Sequence, residues 1–406
     1  MAPETFPKKI LYVENGIGYG GAVICLRHLV RNLDHSRYIP YVVTNRDEPP
    51  YREIATEAEW IHLKDHYFDP RKTLEWVHAH VHPGAGQLVA RLDDLVNRLP
   101  YLLRMLNLAR RIRPDLIHTN NEPLCNIAAL LSGRLLGIPT IAHVRGDLQG
   151  SYLMHRAYRL PDHFVPVSQW IAQSMRRTLG IPQERISVVY DGLELERLDP
   201  ETDGRPFRHR FGIADDDFAV GLVALLIPWK GQDIFIDAAE RLRHRIPRLK
   251  MMIVGAAPQS CRDYERQLKA RVCQEGLEDT VIFTGHVADM PAVYNGLDVV
   301  VNASTSPDPL GTVVIEAMAM ARPLIGPDHG GAAEMIDHEH TGLLFAPGDP
   351  EALTEAIERF HDDIELRERC RHSARRHALK TFAVTAHATA VQQVYDYLLN
   401  LVSTHA

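Results

Sequence analysis

Nothing in this chain is spaced like a disulfide framework or a zinc site. Its five cysteines, Cys25, Cys125, Cys261, Cys273 and Cys370, are odd in number and form no Cys-x-x-Cys pair. That pattern suits a reducing compartment and free thiols. No stretch of about 18 uncharged apolar residues occurs, so no membrane-spanning helix is expected. The opening MAPETFPKKILYVEN lacks the apolar centre of a signal peptide, and a cytoplasmic protein is the expectation. Excess positive charge is missing too. With 45 Lys and Arg against 52 Asp and Glu, the net charge is −7, which argues against binding nucleic acid by bulk electrostatics. What remains, 45% apolar and 24% charged residues, is the make-up of an ordinary globular chain. At 406 residues it is too long for one core, so two domains are expected.

The alternation of elements sets the fold class. The apolar run at 10–13 predicts a buried parallel strand, followed by the glycine loop GIGYGG (16–21) and a helix with apolar spacing at Val23, Leu26, Leu29, Val30 and Leu33. Strand, glycine loop and helix together make a candidate anion cradle, although the spacing is not G-x-G-x-x-G. Residues 41–44 predict a second strand. From Asp115 onward, strand-like DLIHTNN, IPTIAHVRGD and HFVPVSQ alternate with helical segments stopped by Gly137 and Gly180. RISVVYDG then continues the first half. The polar stretch 193–206 reads as a linker. The same scheme repeats beyond it, in DFAVGLVALLI, LKMMIVGAA, VIFTGH and DVVVNAS. Such repeats predict an α/β protein of two Rossmann-like, doubly wound domains facing a central cleft. The expected bounds are 1–195 and 205–382, with a helix at 383–406 crossing back to the first domain.

Two features of the first half carry less. His78, His80 and His82 alternate without flanking Cys or Asp, and no metal site is expected there. Between Leu92 and Ala109, leucines recur at threes and fours, Arg91, Arg98, Arg104 and Arg111 punctuate them, and Pro100 should divide the stretch in two. A basic amphipathic segment such as 91–113 can rest on an anionic membrane surface, though more often it packs on its own sheet.

The stretch 304–336, STSPDPLGTVVIEAMAMARPLIGPDHGGAAEMI, holds the densest chemistry. A proline-bounded loop carries Asp308, and the helix that follows carries one acid, Glu316. Two helix starts, near Gly311 and Ala332, offer unpaired backbone N–H groups to an anion.

In order along the chain, GYGGA, HVRGD, VSQW, VVYDG, PWKGQD, DPLGTVVIEAMA and HGGAAE resemble the family 4 glycosyltransferases of the GT-B fold. The resemblance implies transfer of a sugar from a nucleotide-diphospho-sugar, with retention of configuration, to a glycan, lipid-linked or small-molecule acceptor. It implies no bound metal and no cofactor, the nucleotide sugar being a substrate. By the same resemblance Lys230 would sit over the donor diphosphate and Asp308 near the sugar hydroxyls. Leu310, Gly311 and Thr312 would border the donor, and Glu316 would accept from the ribose. Gly20 and Gly21 would let the backbone approach the donor, and His143 would lie near the reacting carbon. Catalytic roles would fall to His143, Lys230 and Asp308. Acceptors bind the N-terminal domain in this family, so 91–113 would border that site, at the inner face of a membrane if the acceptor is lipid-linked.

The chain also departs from the family pattern. Ala224–Leu225 stands where Gly-Arg is usual, and that arginine would share the diphosphate with Lys230. A charge-assisted hydrogen bond contributes about 1.5–3 kcal/mol, so its loss costs roughly ten- to more than hundredfold in rate. Arg145, at a strand end, is the candidate replacement, with acceptor binding as its other reading. Ala321 replaces a glycine after the helix. A catalytically weak nucleotide-sugar-binding scaffold and a nucleotide-sugar epimerase of the same fold are the alternatives these departures leave.

Overall fold

The computed structural model describes residues 6–16, 20–65, 94–150 and 152–405. Its strands form two six-stranded sheets, each wholly parallel. The first contains β1 (Lys8–Glu14), β2 (Tyr38–Thr44), β3 (Glu59–His62), β4 (Leu116–Asn120), β5 (Thr140–Val144) and β6 (His163–Pro166). The second contains β7 (Phe218–Val223), β8 (Leu249–Val254), β9 (Val281–Gly285), β10 (Val299–Val301), β11 (Leu324–Pro327) and β12 (Leu343–Phe345). Their orders, β3-β2-β1-β4-β5-β6 and β12-β11-β10-β7-β8-β9, are the same winding read from opposite edges. Each therefore has one switch point, β1/β4 or β7/β10, where ligand crevices form beyond the strands' carboxyl ends.

The sequence explains why these segments take this form. Ile10, Leu11, Tyr12 and Val13 are all fully buried, as a strand covered on both faces requires. The covering helices show one apolar stripe each. In Gln232–Leu242, for instance, Phe235, Ile236, Ala238, Ala239 and Leu242 are buried. Gly137 and Gly180 end their helices in the left-handed conformation, at φ 66° and 62°.

The chain divides into two compact units, Met1–Gly192 with His387–Ala406, and Leu193–Ala386. The C-terminal helix Val384–His405 thus serves the first unit, where Ala388, Val391, Val394, Tyr395 and Leu398 share a core with Ile10, Tyr12 and Val42. The polar run 193–206 is no loose tether. Asn295 donates to the carbonyls of Thr202 and Pro200 at 2.8 and 3.1 Å, tying the run to the second unit.

Several local expectations change. Pro100 stands at a change of helix type: a π-helical turn, Asp94–Arg98, runs directly into Leu99–Ile112, and Pro100 lies in the first turn of that α-helix. Because the helix starts there, its buried face is Tyr101, Met105, Leu106, Ala109 and Ile112, and Leu99 is exposed. The RISVV run is not a strand; it lies extended beside β6, with Ser187 and Val189 donating to the Phe164 and Pro166 carbonyls. The histidines at 78–82 lie outside the described residues. No helix among the described residues is long and apolar enough to cross a membrane.

Candidate functional site

In the second unit the candidate residues gather at the switch point. After β7 the chain makes a short turn, Pro228–Lys230, and Gly231 leaves it at φ 72°. A side chain at Gly231 would collide with the Ala303 carbonyl, so only glycine lets this turn lie against the end of β10. The Thr305 N–H donates to the Trp229 carbonyl at 2.8 Å, stitching the loops after β7 and β10 together. These contacts aim Lys230 at the loop before the helix Thr312–Ala319. Its Nζ donates to Asp308 Oδ2 at 2.5 Å and stands 4.1 Å from the Trp229 ring centre. Both charged side chains are largely covered, at 18% and 14% exposure.

Asp308 is held from behind by the glycine pair. The Gly331 N–H donates to the Asp308 carbonyl at 2.8 Å, and Gly330 adopts φ 60° against the same backbone. Leu310, Gly311 and Thr312 then lead into the helix. No side chain caps its N-terminus, which presents the positive end of the helix dipole beside the Lys230–Asp308 pair. Glu316, further along the helix and partly buried, accepts from the Tyr294 hydroxyl at 2.5 Å. Burial raises its carboxyl above the ordinary value, and the Tyr294 bond only partly offsets this. Leu225 is 58% exposed, an apolar surface near the turn, and its carbonyl accepts from Gln232 at 2.9 Å.

The first unit holds a different arrangement at its own switch point. Glu14, at the end of β1, is fully buried. It accepts from the Gly16 N–H at 2.6 Å, from Asn121 at 2.8 Å and from Asn120. Asn120 also donates to the Ala22 carbonyl at 3.1 Å, so this acid anchors the first turn of the helix Gly21–Arg31. Gly20 and Gly21 border that helix start, and a Cβ at either would meet nothing within 4 Å, so packing does not demand glycine there. Of their loop, Ile17, Gly18 and Tyr19 lie outside the described residues.

Arg145 is already paired within its own unit. Its Nε and Nη2 each donate to Asp191 at 2.8 Å, and Nη1 bonds Asn120. A guanidinium committed on three nitrogens to a buried acid and an amide is not a free cation for a diphosphate. Burial by itself would raise the Asp191 carboxyl, yet the guanidinium outweighs it and holds the acid below its ordinary value. Beside this pair His143 is fully buried, with Nδ1 3.3 Å from His118 Nε2 and Nε2 3.7 Å from Asp191. Burial, then the Arg145 charge, push His143 well below the ordinary imidazole range, so it is neutral. His387 stacks on it at 5.6 Å and joins His143 and Asp191 in a cluster whose ligand atoms lie within 4.8 Å of one another.

The structure thus brings Lys230, Asp308 and Gly311 together, sets Glu316 on the same helix against Tyr294, and places His143 and Arg145 beside Asp191 in the first unit. Sequence reasoning missed Glu14, Asn120, Asp191, His387 and Tyr294. Only a polar residue at the end of an apolar strand, as at Glu14 and Asn120, could have signalled the first two. A cavity of about 460 Å³ in the first unit, lined by Asn15, Tyr101, Leu102, Leu124, Cys125 and Ile127 among others, was equally invisible.

Known proteins share this plan. Residues 205–377 match the family model described as "Glycosyl transferases group 1", and residues 19–197 match "Glycosyltransferase Family 4". The lipopolysaccharide core biosynthesis mannosyltransferase LpsB of Rhizobium meliloti is 28% identical over 215 residues, 52% of this chain and 61% of that protein. YtcC of Bacillus subtilis, a glycosyltransferase by provisional name, is 29% identical over 394 residues, 94% of this chain and 88% of its own. The crystal structure of Anabaena Alr3699/HepE in complex with UDP superposes with a TM-score of 0.78 at 25% identity, over 96% of this chain and 99% of that one.

Proposed function

We propose that this glycosyltransferase, matched as such in both of its halves, moves a sugar from a nucleotide-diphospho-sugar to a hydroxyl of a glycan or lipid-linked acceptor. Retention of configuration and independence of metal are part of the proposal, and both rest on the family resemblance. The observation that carries the donor reading is the Lys230–Asp308 pair at the uncapped start of Thr312–Ala319. Cleavage of the sugar–phosphate bond leaves charge on the departing diphosphate, which fixed cations and aligned N–H groups stabilise. An arriving diphosphate exchanges places with Asp308 as the partner of Lys230. The released carboxylate then accepts from a sugar hydroxyl, and neither charge is left uncompensated. Glu316 accepts from vicinal ribose hydroxyls, a task two carboxylate oxygens suit better than any neutral side chain. Crystal structures of the Anabaena relative with UDP, and with UDP and glucose, support a nucleotide-sugar donor.

The acceptor belongs to the first unit in this reading. Its mainly apolar cavity begins at Asn15, beside Glu14, and is walled by Arg98 and Leu99 at the start of the basic helix. Val96, Leu99 and Leu103 are exposed on that segment, a surface suited to peripheral contact with a membrane carrying a lipid-linked acceptor. One observation favours the weaker-catalyst alternative: Leu225 places an exposed apolar side chain near Lys230 where a second cation is usual. A thermal-shift panel of UDP-, GDP-, ADP- and TDP-sugars, followed by assays of donor hydrolysis and transfer, tests the proposal. Binding with turnover is the expected outcome. Binding without turnover selects the scaffold, epimerised donor selects the epimerase, and no binding removes all three.

A further inference from the structure

We infer that a buried chain of hydroxyls and imidazoles, Tyr12–Tyr395–His118, holds His143 as the tautomer protonated on Nε2. His143 then serves the transferase reaction proposed above as a hydrogen-bond donor, and neither as its general base nor as its nucleophile. Tyr12, Tyr395 and His118 are positioning residues in this account.

Tyr12 is fully buried, and among the described residues its hydroxyl meets one partner, Tyr395 Oη, at 2.9 Å. Tyr395 Oη also meets His118 Nδ1 at 2.6 Å. His118 Nε2 in turn meets His143 Nδ1 at 3.3 Å. Each link has one hydrogen, so the chain can run in only two directions. If Tyr395 donates to Tyr12, the Tyr12 hydrogen is left without an acceptor in the interior. If Tyr12 donates to Tyr395, the hydrogen left over is instead the one on His143 Nε2, which has no bonded partner but lies 3.7 Å from an Asp191 oxygen. Tyr395 then donates to His118 Nδ1, and His118 carries its proton on Nε2 and donates it to His143 Nδ1. A neutral His143 must therefore carry its own proton on Nε2.

The far end decides between the two directions. His143 Nε2 stands 3.7 Å from an Asp191 oxygen, where an N–H is attracted and a bare nitrogen lone pair is repelled. All three groups that could protonate the chain by titration are disfavoured from doing so: burial holds His118, His143 and His387 below the ordinary imidazole value. The Arg145 guanidinium, bonded to both Asp191 oxygens, adds to this and also opposes a cation among His143, Asp191 and His387. His387 completes the picture from the opposite side. Its Nδ1 lies 2.7 Å from the Tyr190 carbonyl and so must carry hydrogen there, which leaves its buried Nε2 an acceptor. One donor nitrogen and two acceptors thus converge.

The test reads the tautomer directly in the unliganded full chain. With histidine labelled in nitrogen-15, long-range proton–nitrogen correlation distinguishes a protonated ring nitrogen from a bare one, and His143→Gln identifies the His143 signals by their loss. The expected result is a protonated Nε2 and a bare Nδ1 in His143. A bare Nε2, a doubly protonated ring, or a shift of the His143 signals on adding Zn²⁺ would overturn the inference. Tyr395→Phe and Tyr12→Phe should each introduce the Nδ1-protonated form, more in the first. Wild-type signals in both variants would remove the tyrosines from the account. Because no substrate is involved, failure here is separable from failure of the transferase reading.

Discussion

The two units share a strand order and use it for opposite ends. At the β1/β4 switch point polar groups are spent on one another: Glu14 on Asn120, Asn120 on Arg145, and Arg145 on Asp191. At the β7/β10 switch point the charged pair is largely covered, though about twice as exposed as Arg145–Asp191, and lies beside an uncapped helix end. One fold therefore supplies a buried, densely interbonded polar cluster in one half and a charge pair beside a helix start in the other. Topology fixes where chemistry gathers, and the loops decide whether it is satisfied internally or left for a ligand.

The largest contrast should come from breaking the closed network. Arg145→Ala leaves Asp191 buried without its partner, and should cost about 3–5 kcal/mol of stability in urea unfolding. Lys230→Ala removes one partner of a pair that keeps 18% and 14% exposure and should cost less, about 1–3 kcal/mol, in the same measurement. Equal losses would abolish the distinction.

Acid should expose the same asymmetry. His118, His143 and His387 have folded values below the ordinary 6.5. Between those values and 6.5 the unfolded chain binds more protons than the folded one, so stability falls as pH falls through that window. Each fully suppressed histidine contributes up to about 1.4 kcal/mol per pH unit. Thermal unfolding at pH 5.5 and 7.5 checks the sign, and replacing His387 by Gln should flatten the slope.

Lys230→Ala should act on turnover, lowering it about a hundredfold while nucleotide affinity falls less, as steady-state kinetics and calorimetry would separate. Glu316 should do the reverse. Its raised pKa means that its carboxylate is lost at a higher pH than an ordinary glutamate's, so nucleotide affinity should decline early on acidification. Glu316→Gln should remove that dependence.

The smallest effect is local. Ala321 follows the helix Thr312–Ala319 at φ 50°, and its neighbour Arg322 donates to the Ala317 carbonyl at 2.8 Å. Ala321→Gly relieves the Cβ in this left-handed turn and should stabilise the second unit by about 1 kcal/mol in thermal unfolding.

Much of this was legible in the sequence, for physical reasons. Runs such as 10–13 and 218–223 bury both faces and announce parallel strands. Glycines at 137 and 180 mark helix ends because few other residues tolerate their backbone angles. Asp308 and Glu316 were legible because one loop and the helix after it carry them within nine residues, whereas Lys230, 78 positions from Asp308, came from the family resemblance. The closed network was not, since Glu14, Asn120, Arg145, Asp191 and His387 come from five separated segments that only the sheet order unites. In Leu99–Ile112, the leucine spacing misled because Pro100 sets where the helix begins and so which face is buried.

The central claim is that the Lys230–Asp308 pair is the donor's landing place. A crystal structure with the nucleotide sugar that binds most tightly in the thermal-shift panel tests it directly. The account predicts the diphosphate bonded to Lys230 Nζ and to backbone N–H groups of residues 311–313, with the 2.5 Å contact to Asp308 opened. A bound nucleotide elsewhere, with that ion pair intact, would contradict it.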